Sequence, residues 1–144
     1  MDHKSLASVP LFAGLTAGSL TQLAAICQEQ TAAPHKQIIT QNTTGEEVFI
    51  IFNGSVEVFI EGLEQERVLV VLGKGQVFGE MALIDQGYRS ASVRAGKQGC
   101  ALYLIHSQAF NALCQSNSHI GYIVMRNLAR DLAFKLRHQN LAQM

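Results

Sequence analysis

The residues best suited to chemistry sit in one interruption of a β-rich pattern, Phe78-Gly79-Glu80-Met81-Ala82-Leu83-Ile84-Asp85-Gln86-Gly87-Tyr88-Arg89-Ser90-Ala91-Ser92. Hairpin loops usually run about two to five residues, so this stretch is too long for a plain turn. Glu80 to Ile84 are good helix formers and predict a single helical turn. Gly79, just before it, lets backbone approach a bound group closely because no side chain intervenes. A turn opening beside a glycine presents free N–H groups and a partial positive charge, which suits an anion. Arg89 can return to the same place from the far end of the loop, and its planar fork can grip two phosphate oxygens at once. Glu80 is an acceptor suited to a sugar hydroxyl, and Ser90 and Ser92 add hydroxyls near the phosphate. Taken singly, Arg89 could equally be a surface arginine paired with Asp85, and Glu80 an exposed helix residue.

The elements that must position this loop read as three sections. Residues 1–33 form a helical lead-in. Val9-Pro10-Leu11-Phe12 is an apolar knot, Thr16 is placed as an N-cap, and Leu20, Leu23, Ala24 and Cys27 fall on one helical face before Pro34 stops the helix. Residues 35–106 read as strand after strand: 37–40, 48–52, 55–60, 67–72, 91–95 and 101–105. Asn53-Gly54 is a hairpin signal, Gly62-Leu63-Glu64 a polar tip, and Gly73-Lys74-Gly75 a turn. Lys74 between two glycines lacks the rest of a P-loop pattern, so a plain turn is the reading. From Ser107 onward the spacing predicts a short helix over 108–114 capped by Ser107. A longer helix capped by Ser118 follows, with Ile120, Ile123, Val124, Leu128, Leu132 and Leu136 on one stripe and Arg126, Arg130, Lys135 and Arg137 outside it. Short, evenly punctuated strands indicate a mainly β fold, a sandwich, barrel or jelly roll, with flanking helices.

Bulk properties bound the function. A chain of 144 residues is one domain by length. Lys+Arg and Asp+Glu are both 11, and this balance argues against the whole chain neutralising nucleic-acid phosphates. Cys27, Cys100 and Cys114 are odd in number and share no close spacing, so they read as reduced thiols rather than a disulfide framework or zinc site. The 5 histidines are scattered without ligand spacing. The N-terminus lacks a secretory pattern and no run of 18 apolar residues occurs, so the expected location is cytoplasmic. No carboxylate pair, triad or metal cluster appears at a workable spacing, so no enzyme, metal or cofactor is expected.

The loop resembles the phosphate-binding cassette of cyclic nucleotide-binding domains, roughly F-G-E-(L/M)-A-L-(I/L), four variable residues, then R-x-A-(T/S)-V. Phe78 to Ile84 match in order, and Arg89, Ala91, Ser92 and Val93 match after the gap. The resemblance extends to Val9–Leu15, to Gly45 with Phe49-Ile50-Ile51 and Gly54–Val58, and to Asn127-Leu128-Ala129 with Leu132 and Leu136. Tyr88 stands where many members have Pro, and Asn42 where many have a turn glycine. The resemblance implies a double-stranded β-helix (jelly-roll) barrel with N-terminal helices and closing C-terminal helices. It implies that Arg89 neutralises a cyclic phosphate, Glu80 accepts from the ribose 2′-hydroxyl, and Ser90 touches phosphate or base. Phe78, Gly79, Met81, Ala82, Leu83 and Ala91 complete the expected ligand contacts, and Arg130, Phe134 or Lys135 would cap the base.

The implied function is a sensor that binds cAMP, slightly favoured over cGMP, and repositions its C-terminal helices, with Leu83 or Ile84 repacking against them. Two alternatives stay open. One is the sensor half of a transcription regulator whose DNA-reading part lies elsewhere. The other is a ligand-free domain that dimerises through its closing helix. The expected partners are a cyclic mononucleotide, a downstream protein and possible homodimerisation, without membrane or direct nucleic-acid binding.

Overall fold

The computed structural model describes residues 3–85 and 87–143, with side chains over 5–85 and 87–138. In chain order the elements are α1 (His3–Ala7), a 3-10 turn (Pro10–Phe12), α2 (Ala17–Ala25), β1 (Gln28–Ala32), β2 (Gln37–Ile39), β3 (Glu47–Glu61), β4 (Glu66–Leu72) and β5 (Val77–Phe78). A second 3-10 turn (Glu80–Leu83), β6 (Ser92–His106), α3 (Ser107–Ser116) and α4 (Ser118–Gln143) complete the chain.

Two 15-residue strands, β3 and β6, build the architecture. The first part of β3, Glu47–Gly54, pairs antiparallel with the last part of β6, Cys100–His106. Its second part, Val56–Phe59, pairs with Ser92–Ala95. The first pairing gathers β1 and β5 as neighbours, and the second gathers β2 and β4. Two antiparallel layers result, each containing half of both long strands. They face one another across an apolar cluster in which Phe49, Phe78 and Leu102 of one layer meet Ile39, Val56 and Val93 of the other. Among the described residues no ladder joins β4 to β5 or β1 to β2. The fold is therefore a jelly-roll-like sandwich, and the expected barrel is not closed.

The first layer is buried on both sides. Val48, Ile50, Tyr103 and Ile105 turn outward into a second cluster with Phe12, Leu23, Phe110, Ile120, Val124 and Leu128 of the helices. A strand covered on both faces reads as a continuous apolar run, which is why Val48–Phe52 shows no alternation.

Several expectations are corrected here. Asn53-Gly54 is not a hairpin. Gly54 has φ +79°, register shifts flank it, and β3 bends there and passes from one layer to the other. A Cβ at Gly54 would come 2.9 Å from the Cys100 Cα, so the crossing needs glycine for space as well as for dihedral. The segments 91–95 and 101–105 are likewise one strand, β6, which turns through Gly96 and Gly99. The lead-in is not helical to Pro34: α2 ends at Ala25, and Gln28–Ala32 joins the edge of the sheet by pairing with Cys100–Leu104. That strand is set by its partner rather than by its own pattern, since Gln28-Glu29-Gln30-Thr31 offers little apolar alternation. Ser107 is the first residue of α3 rather than its cap. β6 runs straight into the helix, and the Ser107 N–H donates to the Glu46 carbonyl at 2.7 Å.

Thr16 does cap α2, accepting from the Ser19 N–H at 3.1 Å. In α4, Ile120, Ile123, Val124 and Leu128 are buried, Leu132 is half-buried and Leu136 is 59% exposed, so the stripe leaves the core in its second half. Asn127 ties the buried half to the lead-in, donating from Nδ2 to the carbonyls of Leu11 and Ala13 at 2.9 Å each.

Candidate nucleotide-binding site

Gly79 leads the chain out of β5 with φ +75° into the 3-10 turn Glu80–Leu83, the single turn expected from the sequence. A Cβ at Gly79 would lie 2.8 Å from Arg89 Nη1 and 3.0 Å from the Glu47 carbonyl, so only glycine lets the loop close. The turn's first N–H groups, those of Glu80 and Met81, have no backbone acceptor among the described residues. Ala82 N–H closes the turn on the Gly79 carbonyl at 3.2 Å.

Arg89 is fixed at both ends. Its N–H donates to the Thr43 carbonyl at 2.7 Å, and its carbonyl accepts from the Asn42 N–H at 2.8 Å. Asn42 itself sits at φ 68°, as its place in the turn predicts. The guanidinium donates to the Gly79 carbonyl at 3.2 Å and the Glu47 carbonyl at 2.8 Å, and pairs with Glu47 Oε2 at 3.5 Å. The side chain is only 9% exposed. Burial pulls the guanidinium below its ordinary pKa, opposed by the carboxylates of Glu47 and Glu80. Its partner is thus Glu47, not Asp85, whose Oδ1 accepts from the Gly87 N–H.

Glu80 and Arg89 line one cavity of about 810 Å³. Gly45, Gly79, Ser90 and Ala91 share that end of it. Ile39, Val58, Val70, Leu72 and Val93 form an apolar wall, joined by Phe78, whose ring stacks on Phe49 at 4.9 Å. α4 also lines the cavity, through Asn127, Leu128, Asp131 and Lys135. A buried cation and turn N–H groups at one end, a carboxylate beside them and a long apolar wall suit a small anion bearing a sugar and a flat base.

Residues 29–117 match the cyclic nucleotide-binding domain family. The chain belongs to that family. It is 34% identical over 133 residues to the cyclic AMP receptor protein of Thermus thermophilus, covering 92% of this chain and 59% of that protein. The crystal structure of the Thermus thermophilus catabolite activator protein superposes with a TM-score of 0.82 at 33% identity, over 93% of this chain and 61% of that one. The regulatory domain of Toxoplasma gondii PKA, crystallised with cAMP, superposes with a TM-score of 0.71 at 28% identity, over 78% of this chain and 42% of that one. The chain therefore spans less than two thirds of the length of each of these relatives.

Within this cyclic nucleotide-binding domain the structure gathers most of the expected residues and separates a few. Phe78, Gly79, Glu80, Met81, Ala82, Arg89, Ser90 and Ala91 all border the cavity. Leu83 does not: a four-residue turn has an inner face, and Leu83 is buried in the apolar cluster that holds the helices. Ser92 is also withdrawn, its hydroxyl accepting from the Gln41 N–H at 2.8 Å. Of the three candidate base caps only Lys135 reaches the cavity wall. Arg130 is exposed, and Phe134 is 61% exposed with its ring edge-on to His138. Two residues went unsignalled. Glu47 holds Arg89 from across 42 residues of sequence, which no local pattern reveals. Asp131, the i,i+4 partner of Lys135 on α4, belongs to no motif.

No helix among the described residues is long and apolar enough to cross a membrane.

Proposed function

We propose that this chain binds a 3′,5′-cyclic mononucleotide in the cavity between the sandwich and α4, acting as a sensor rather than an enzyme. The observation that carries the reading is the presence of Arg89 and Glu80 on one wall, beside the opening N–H groups of the 3-10 turn. Arg89 and those N–H groups take the cyclic phosphate, and Glu80 accepts from the ribose 2′-hydroxyl. Arg89's contacts to Gly79 and Glu47 leave at least two of its five N–H groups for the ligand. The base lies along the apolar wall toward α4. Between purines we favour cAMP slightly: one similar protein is named a cyclic AMP receptor, and the Toxoplasma domain was crystallised with cAMP. Ser90 is the group through which cGMP would compete. Calorimetric titration with each nucleotide tests this. Binding of cAMP, tighter than cGMP, is expected, and failure of both would end the reading.

Ligand binding is proposed to reposition the part of α4 beyond Leu128. Up to Leu128 the helix is built into the core and strapped to the lead-in by Asn127, so it is held with the body of the domain. Amide NMR shifts on cAMP addition are expected beyond residue 128, and their absence would remove the switching claim while leaving binding intact.

A second reading concerns assembly. Tyr122, Met125, Ala129, Leu132 and Leu136 follow a three-four spacing, and Tyr122 and Leu136 are 63% and 59% exposed. That seam suits pairing with α4 of a second copy. A sedimenting monomer at high concentration would refute it.

A further inference from the structure

We propose that Asp131 is a positioning residue for the cavity, competing with Glu80 for the ammonium of Lys135 and so setting how firmly the distal part of α4 closes over the site. The inference rests on the reading of Glu80 as the sugar-binding carboxylate. Lys135 Nζ lies 2.9 Å from Asp131 Oδ2 and 3.9 Å from Glu80 Oε1. All three side chains border the same cavity. One ammonium with three N–H donors therefore stands between a carboxylate of its own helix and a carboxylate of the binding loop. The two pulls have different consequences. Held by Asp131, Lys135 is a local i,i+4 pair and α4 gains nothing from the loop. Drawn to Glu80, it links the helix to the 3-10 turn across the cavity mouth.

Geometry favours the competition over simple helix support. Glu80's side chain is 16% exposed, against 49% for Asp131, so an ammonium approaching Glu80 meets the less screened charge. The 3.9 Å separation is the outer limit of an ion pair, while the Asp131 contact is short. Asp131 is thus holding Lys135 back from a partner in reach. Beyond Leu128 only half-buried Leu132 packs against the cluster under the helices, so a charge contact near Lys135 adds to apolar packing that is already thinning. A ribose hydroxyl donating to Glu80 leaves the carboxylate ionised. Lys135 can then stay over the bound sugar, and the link retards escape of the ligand.

The sign of one substitution decides the matter. An Asp four residues before a Lys supports a helix. If that were Asp131's whole role, Asp131→Asn would loosen distal α4. As a competitor, its removal commits Lys135 to Glu80 and tightens the closure. The experiment uses the 144-residue chain as wild type, Asp131→Asn, Lys135→Gln and the double variant. Two quantities are read: hydrogen exchange of amides 129–138 without ligand, and stopped-flow dissociation of a fluorescent cAMP analogue. The expected result is slower exchange in Asp131→Asn and dissociation slowed about two- to five-fold, the range of an exposed ion pair. Lys135→Gln should change both in the opposite direction, and Asp131→Asn should have no effect in that background. Unchanged or faster exchange in Asp131→Asn overturns the proposal. The exchange arm decides the competition even if the protein binds no cyclic nucleotide, an outcome that would instead overturn the assignment of Glu80.

Discussion

Arg89 uses part of its donor capacity on the protein itself, and that makes it a support as well as a binding group. Its guanidinium bridges the carbonyls of Gly79, which opens the 3-10 turn, and of Glu47, the first residue of β3. A lysine would keep the charge but present it as a point, unable to satisfy both carbonyls and a phosphate together. Arg89→Lys is therefore expected to weaken cAMP binding about 10- to 100-fold and to cost about 1–3 kcal/mol of folding stability from the charged hydrogen bonds lost to the two carbonyls. Calorimetry and urea unfolding measure the two, and wild-type affinity in the lysine variant would refute the fork-like grip. Arg89, Glu80 and Gly79 were legible in the sequence because they fall within one contiguous loop with ordered spacing. Glu47 was not, because its relation to Arg89 is made by strand pairing and loop closure. Leu83 lies off the cavity for a related reason: a motif match fixes which residues are present, not which face of a four-residue turn each one takes.

At the scale of elements, the strands were legible and their joins were not. Apolar runs at 48–52, 55–60 and 101–105 mark real strand, yet Asn53-Gly54 carries the signature of a tight turn while serving as a bend. The same left-handed dihedral that closes a hairpin also lets one long strand cross between layers, and only the pairing with β6 decides which occurs. Gly54→Ala tests the bend. An alanine there would sit at φ +79° with its Cβ against the backbone of Gly99 and Cys100, neither of which is a movable side-chain end. The expected loss is at least about 2 kcal/mol, read as a lower urea midpoint. Nucleotide affinity should change little, since Gly54 does not border the cavity. A variant as stable as wild type would mean that the crossing does not depend on glycine. β1 escaped the sequence for the opposite reason: its polar residues carry no periodic signal, and its partner in β6 alone makes it a strand.

For the molecule as a whole, the three thiols report on both halves of the core. Cys100 belongs to the cluster between the sandwich layers, while Cys27 and Cys114 pack against the cluster under the helices. Burial raises all three above the ordinary 9.0, and pushes Cys27 up to about 12. The Cys27 thiol also donates to the Leu23 carbonyl at 3.5 Å. A thiol that stays protonated in the fold but ionises once released makes the unfolded chain the form that gives up protons first. The unfolded state then binds fewer protons than the native one from about pH 9 upward, and linkage requires stability to fall as pH rises through that window. For Cys27 the loss begins near 9 and continues to about 12, where the native thiol finally ionises. Lysines and tyrosines titrate in the same range, so the informative quantity is a difference. Urea unfolding across the alkaline range should show a steeper decline in wild type than in Cys27→Ala, even though the alanine variant starts less stable from its lost packing. Parallel declines would mean that the Cys27 thiol is already free to ionise in the native fold, and that the helical half of the core is more open to water than its packing implies.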